Sequence, residues 1–226
     1  MPRKSTLVTI TYSDLLAAYN NDKSVDHLIE QAFGGSSSSL GILAITDIPS
    51  LPTLRSNLLP LAYQLANLPP HQLEEITAPQ SQYQVGWSHG REKLEGDKLD
   101  FSKGSYYANP LTDDLVESML ERRRHYHESI GTRSSNDESD DKTQQHKKKM
   151  MEEVLNWDES LEQIQTNEEL QKLAHANPAF FAPNVWPTNS IPELEEAFKE
   201  MGQLIHRVGI CVAKCCDLYV SARVSD

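Results

Sequence analysis

Cysteine is nearly absent from this chain. The three present in 226 residues, Cys211, Cys215 and Cys216, all fall in one short stretch near the C-terminus. A disulfide framework spreads an even number of cysteines along the chain, so this pattern excludes a stapled secreted domain and predicts a reducing compartment. Basic charge is also short, 21 Lys and Arg against 33 Asp and Glu, for a net charge of −12. Surfaces that bind phosphate need a basic face, which argues against nucleic acid or an anionic membrane as a partner. Long apolar runs are missing as well, since Val208–Cys216 is broken by Lys214 and falls short of a membrane span. The basic start Met1-Pro2-Arg3-Lys4 leads into alternating residues from Ser5 to Thr11, not into the unbroken apolar run of a signal peptide. The expectation is a soluble, intracellular, cytoplasmic protein, long enough for one compact domain or two small ones.

What is present begins with period two. Val8, Ile10 and Tyr12 alternate with Thr9 and Thr11, a β-branched pattern that predicts a half-buried strand. Ser24 is placed to cap a helix whose Val25, Leu28, Ile29, Ala32 and Phe33 share a face, and Gly34-Gly35 should end it. Gly41-Ile42-Leu43-Ala44-Ile45-Thr46 then reads as a buried strand. A helical stretch follows with Leu54, Leu58, Leu61 and Leu65 on one side, in which Pro60 should introduce a kink or a break. Between Gln80 and Pro110, glycine, serine and aromatic residues predict loops and short extended pieces.

From about Glu121 to Lys149 the chain is blocked into charges: Arg122-Arg123-Arg124, the Ser134–Asp141 run, then Lys147-Lys148-Lys149. Such a composition buries too little apolar surface to offset its ordering entropy, so disorder is expected in its middle. Weak helical spacing resumes through Met151, Val154, Leu155, Leu161, Ile164, Leu170 and Leu173, until Asn177-Pro178 interrupts it. The clearest helix is expected from about Ile191 to Ser221, opened by a capping box at Ser190-Ile191-Pro192-Glu193. Its stripe reads Leu194, Phe198, Met201, Ile205, Val208, Val212, Cys215 and Tyr219, widened by Ala197, Ile210 and Cys211. That width favours packing against the protein's own sheet over a narrow coiled-coil seam.

Three groups are candidates for chemistry. Cys211 and Cys215 share a helix face, but two thiols are not a metal site, and small cysteines on an apolar face more often fill a core. His125 and His127 flank Tyr126 and point about 200° apart on a helix, which suits a solvated charged face. Trp87, Ser88, His89 and Lys93 form a denser cluster in a glycine-bracketed loop, where exposed backbone can approach a ligand. The bland reading has Trp87 packed on the long helix and His89 in a local hydrogen bond.

Four segments, taken in order, resemble the N-terminal region of the isopenicillin-N-synthase-like branch of the 2-oxoglutarate/Fe(II) oxygenases. They are Val8 to Tyr19; Val25 to Thr46; Gly86-Trp87-Ser88-His89-Gly90-Arg91-Glu92-Lys93-Leu94 with Lys103-Gly104-Ser105-Tyr106-Tyr107-Ala108-Asn109-Pro110; and Asn184-Val185-Trp186-Pro187 before the long helix. The resemblance covers about Leu7 to Pro110 and about Pro178 to Val220, and the stretch between Thr112 and Ala176 departs from the family as an expanded insert. It implies an α+β fold, mainly helical with a few short strands, forming the N-terminal part of a jelly-roll oxygenase whose barrel is largely absent. Three regions follow: 1–120 as the first part of that domain, 121–176 as the charged insert, and 177–226 as its long support helix. By the same resemblance, Trp87, Ser88, His89 and Lys93 lie near the barrel mouth and touch substrate there.

In such oxygenases a barrel after the long helix carries the chemistry. A His-x-Asp/Glu pair and a distant His hold iron, and an Arg-x-Ser pair holds the co-substrate. None of the eight histidines here, His27, His71, His89, His125, His127, His146, His175 and His206, is followed two residues later by Asp or Glu. Arg-x-Ser triplets at Arg133-Ser134-Ser135 and Arg223-Val224-Ser225 follow no possible ligand. The chain is therefore expected to bind no cofactor and to be inactive alone, while Fe(II) and 2-oxoglutarate are implied for a complete family member. The expected partners are the missing catalytic barrel, in cis or in trans, and through it a small-molecule substrate. The alternative is a stand-alone protein-interaction module with no catalytic activity.

Overall fold

A computed structural model describes residues 7–121, 124 and 167–224. The expectations for Arg122 and Arg123, for His125 and His127, for Arg133 to Lys149 and for Met151 to Ile164 lie outside the described residues, as do Ser225 and the basic start. The chain divides into two compact units. One comprises the residues up to Asn67 together with those from Thr188 onward, and the other is Leu68–Pro187.

The first unit opens with β1 (Val8–Thr11), which runs directly into α1 (Tyr12–Tyr19). Thr11 makes the junction, its Oγ1 accepting the backbone N–H of Asp14 at 3.2 Å. After α2 (Asp26–Phe33) comes β2 (Leu43–Thr46), which pairs in parallel with β1, Val8 opposite Leu43 and Thr11 opposite Thr46. Parallel neighbours need a crossover, and α1 and α2 supply it. The unit is completed by α3 (Leu51–Ala66) and the long α7 (Leu194–Val224). Its core joins Ile10 of β1, Leu15 and Ala18 of α1, Val25, Ile29 of α2, and Cys211 and Cys215 of α7.

Several expectations are corrected here. Ser24 Oγ accepts the N–H of Asp26 at 3.3 Å, but the helix starts at Asp26 with buried Val25 at the capping position. The second strand is shorter than Gly41–Thr46 and only half-buried. Gly41 takes φ +67° and bonds back to the Ala32 carbonyl at 2.9 Å, so pairing begins at Leu43 and Ile42 is 58 % exposed. Pro60 does not split α3, which runs unbroken through it. Ser56 and Pro60 are both exposed, so water takes the carbonyl left without an N–H donor. The leucines of α3 fall as expected, Leu54, Leu58 and Leu61 half-buried and Leu65 buried.

On α7 the helix proper starts at Leu194, after a turn closed by Leu194 N–H to Ile191 carbonyl, so the proposed box at Ser190 lies outside it. Its buried line is Leu194, Ala197, Met201, Leu204, Cys211 and Cys215, while Ile205 is 59 % exposed and Ile210 is exposed too. Its nearest neighbours are the three helices α1, α2 and α3, while the sheet meets it through the shared buried cluster, in which Ile10 of β1 joins Cys211 and Cys215. Residues 204 and 205 lie 100° apart, and both flanks of the stripe are apolar. Only the placement of α1–α3 decides which flank is covered.

The second unit holds α4 (Pro70–Glu75), a 3-10 turn at Pro79–Ser81, the strands β3 (Gly86–His89) and β4 (Gly104–Tyr107), a helical stretch at 115–121, α5 (Asn167–Ala176) and α6 (Pro178–Phe181). β3 and β4 form an antiparallel pair, Gly86 opposite Tyr107 and His89 opposite Gly104. The short extended pieces expected around Gly86 and Gly104 are thus the two strands of this pair. Ile76, Ala78 and Leu170 are buried, and so is Ser81, whose hydroxyl donates to the Ala78 carbonyl at 2.8 Å and accepts from Val85 N–H. Gly86 is required where it stands: its φ is +75°, and a Cβ there would strike the Ile76 carbonyl. The described residues form an α+β structure in which helix predominates, with two two-stranded sheets and no closed barrel.

Candidate functional site

The antiparallel register distributes the four expected site residues. Strand alternation puts Trp87 and His89 on one face of the hairpin and Ser88 on the other. The Trp87 and His89 rings lie 6.1 Å apart, and His89 meets Phe101 edge to face at 5.7 Å. His89 Nε2 is 3.1 Å from the Phe101 carbonyl, a bond in which the ring N–H donates. Gly104 makes room for this arrangement, because a Cβ there would collide with the Trp87 indole. Trp87 therefore packs against its own hairpin, and His89 makes the local hydrogen bond of the bland reading. Lys93 does not join the cluster but pairs with Asp97 at 2.9 Å, both side chains being exposed.

On the Ser88 side, Lys103 and Glu92 close an ion pair at 2.7 Å, which holds the lysine above its ordinary pKa. Asp100 is buried, and its Oδ1 accepts from the Ser102 hydroxyl and from the Ser102 backbone N–H. Those bonds, the hydroxyl first, hold its carboxyl below the usual range. The result is a polar rim beside an exposed aromatic group, Phe101 being 65 % exposed.

A second constellation has no role in the sequence reading, although Tyr106, Asn109, Asn184, Val185 and Trp186 lie within the segments that carry the resemblance. Asn184 Oδ1 accepts the Asn109 N–H at 2.7 Å, and its Nδ2 donates to the Asn109 carbonyl at 2.8 Å, to Asp113 Oδ1 at 3.0 Å and, more weakly, to the Thr112 carbonyl at 3.2 Å. Its backbone N–H donates to the Asp113 carbonyl at 2.8 Å. Trp186 Nε1 donates to the same Asp113 oxygen at 2.7 Å, and the Tyr106 hydroxyl donates to the Val185 carbonyl at 2.6 Å. Beside this clasp an open groove of about 330 Å³ is lined by Tyr107, Asn109, Asp113, Phe180 and Asn184, among others. No sequence periodicity marks an amide that bonds 75 positions away; only the dense polar and aromatic composition of Asn184-Val185-Trp186 hinted at it.

Cys211 and Cys215 are core residues, and burial pushes both thiols up. Among the described residues no three His, Cys, Asp or Glu side chains gather closely enough to hold a metal ion, and no helix is long and apolar enough to cross a membrane. Comparison with protein-family models, with curated proteins and with solved structures returns no match for this chain.

Proposed function

We propose that this chain is the N-terminal support and substrate-entrance domain of a 2-oxoglutarate/Fe(II)-type oxygenase, working with a catalytic barrel supplied in cis or in trans. The observation that carries the reading is the β1–β2 pair. Parallel sheets are normally covered on both faces, and two short parallel strands whose side chains, Ile10 apart, all keep some exposure make an incomplete sheet. Among the described residues neither strand pairs with a third, as the edge of a larger sheet would require. The exposed Ile205 and Val220 on α7 add apolar surface suited to the same partner. In this reading Trp87, His89 and Phe101 form an aromatic wall at the entrance, where they bind and orient substrate.

The residues of this chain do not fit an iron centre. No His-x-Asp/Glu pair occurs in the sequence, so in this reading the oxidative step belongs to the barrel. Two measurements test the proposal. Titration of the purified chain with Fe(II) and 2-oxoglutarate should give no binding heat, and stoichiometric iron binding would overturn the division of labour. The coding sequence beyond the Asp226 codon, or a polypeptide that co-purifies with the chain, should carry His-x-Asp/Glu, a later His and Arg-x-Ser. Their absence from both would favour the interaction-module reading.

A further inference from the structure

We infer that Asp100 and Ser102 are the positioning residues of the aromatic wall: the turn they make takes up one extra residue and carries Phe101 across the hairpin to the face of His89. The register contains the extra residue. His89 lies opposite Gly104, and further out Lys93 bridges to Leu99, with Leu94 N–H donating to the Lys98 carbonyl at 2.6 Å and Asp100 N–H to the Glu92 carbonyl at 2.8 Å. Between these two pairings residues 90–92 face residues 100–103, three against four. An unmatched residue is a bulge, and a slip of one residue reverses which face each side chain beyond it takes.

The side chains record that reversal. Ser105 stands opposite Ser88, and Lys103 lines the same small cleft as both, as unbroken alternation along β4 requires. Alternation would put Phe101 on that face too, and Asp100 on the other. The two are exchanged: Phe101 meets the His89 ring edge to face at 5.7 Å, while Asp100 lines the cleft with Ser88, Lys103 and Ser105. The order therefore changes between Lys103 and Phe101, at Ser102. There the Ser102 backbone N–H and hydroxyl both donate to Asp100 Oδ1, closing a tight turn across Phe101 with the Asp100 side chain buried. Two features receive the turned residue. The His89 ring N–H donates to the Phe101 carbonyl at 3.1 Å, and Gly90 leaves room for the phenyl ring, which a Cβ there would strike. Without the turn the wall would lack Phe101. That this face meets substrate rests on the oxygenase reading, whereas the placement of Phe101 does not.

Proton NMR of the full chain, with its aromatic side chains assigned, reads the placement directly. The unaltered chain should give a nuclear Overhauser contact between the Phe101 and His89 rings. Deletion of Ser102 makes the two strands equal in length between the pairings, so that contact should vanish and new ones should join Phe101 to Ser88 and Ser105. Asp100→Ala keeps the residue count but removes the acceptor, and should weaken the Phe101–His89 contact while the cross-strand contact of Trp87 with Tyr106 stays. Ser102→Thr keeps the hydroxyl and should preserve both contacts. If the deletion disrupts the hairpin, seen as loss of the Trp87–Tyr106 contact, Asp100→Ala decides alone. A Phe101–His89 contact undiminished in Asp100→Ala, or in a deletion form that keeps Trp87 against Tyr106, would overturn the inference. None of these spectra needs iron, 2-oxoglutarate or a barrel, so failure of the oxygenase reading would leave the outcome unchanged.

Discussion

Asp100 shows how a single residue's surroundings set its titration. It is 8 % exposed, yet it stays ionised because the Ser102 hydroxyl and backbone N–H both donate to one of its oxygens, holding its pKa below the ordinary carboxylate value. A carboxyl with a depressed folded pKa lends stability above its unfolded value of about 3.9 and loses it as pH falls through the lower folded value. Ser102→Ala removes the larger of the two causes and leaves the backbone bond. NMR titration should then find the Asp100 carboxyl shifted up toward the ordinary range, with a smaller loss of stability below about pH 4. An unchanged Asp100 titration would mean that the hydroxyl is not the controlling donor. The buried thiols move the other way: burial raises Cys211 and Cys215, so whatever they contribute is complete below their unfolded pKa and lost as pH rises through the folded one.

Among the elements, α7 carries the most weight and gives the sharpest test. Leu204 and Ile205 are neighbours of similar size, one 6 % and the other 59 % exposed. Truncating a buried leucine costs the transfer energy of the lost atoms plus that of the cavity, whereas a surface change away from any special contact costs little. Leu204→Ala should therefore destabilise the first unit by about 2–5 kcal/mol. Ile205→Ala should stay within about 0.5 kcal/mol. Chemical denaturation of both variants decides the matter, and a loss for Ile205→Ala as large as that for Leu204→Ala would mean that Ile205 is buried as well. The α3 helix teaches a related point, since Pro60 is tolerated in its interior because the carbonyl it orphans faces water.

For the molecule as a whole, exposed apolar side chains and net charge oppose each other. Ile42, Ile205 and Val220 favour association, while a net charge of −12 keeps copies apart. Salt weakens the second effect more than the first, because the screening length falls from about 30 Å at 0.01 M to about 8 Å at 0.15 M. Sedimentation velocity should accordingly show more self-association at 0.15 M salt than at 0.01 M, and Ile205→Lys should reduce it at both. A chain monomeric at both ionic strengths, at concentrations up to about 0.1 mM, would remove the apolar face as a driver.

The sequence by itself determined the elements whose physics is local. Alternation placed β1, spacing placed α2, α3 and α7, and Asn177-Pro178 marked the end of α5. It was also enough to establish that no His-x-Asp/Glu pair occurs. Only the tertiary structure decided matters that depend on distant neighbours. The flank of α7 that is buried follows from where α1, α2 and α3 pack, and two equally apolar flanks carry no local mark of that choice. The pairing of Trp87 with His89, and the departure of Lys93 to Asp97, follow from the β3–β4 register. The Asn184 clasp is the extreme case, because hydrogen bonds between residues some 75 positions apart depend on geometry brought together by folding and leave no period in the chain.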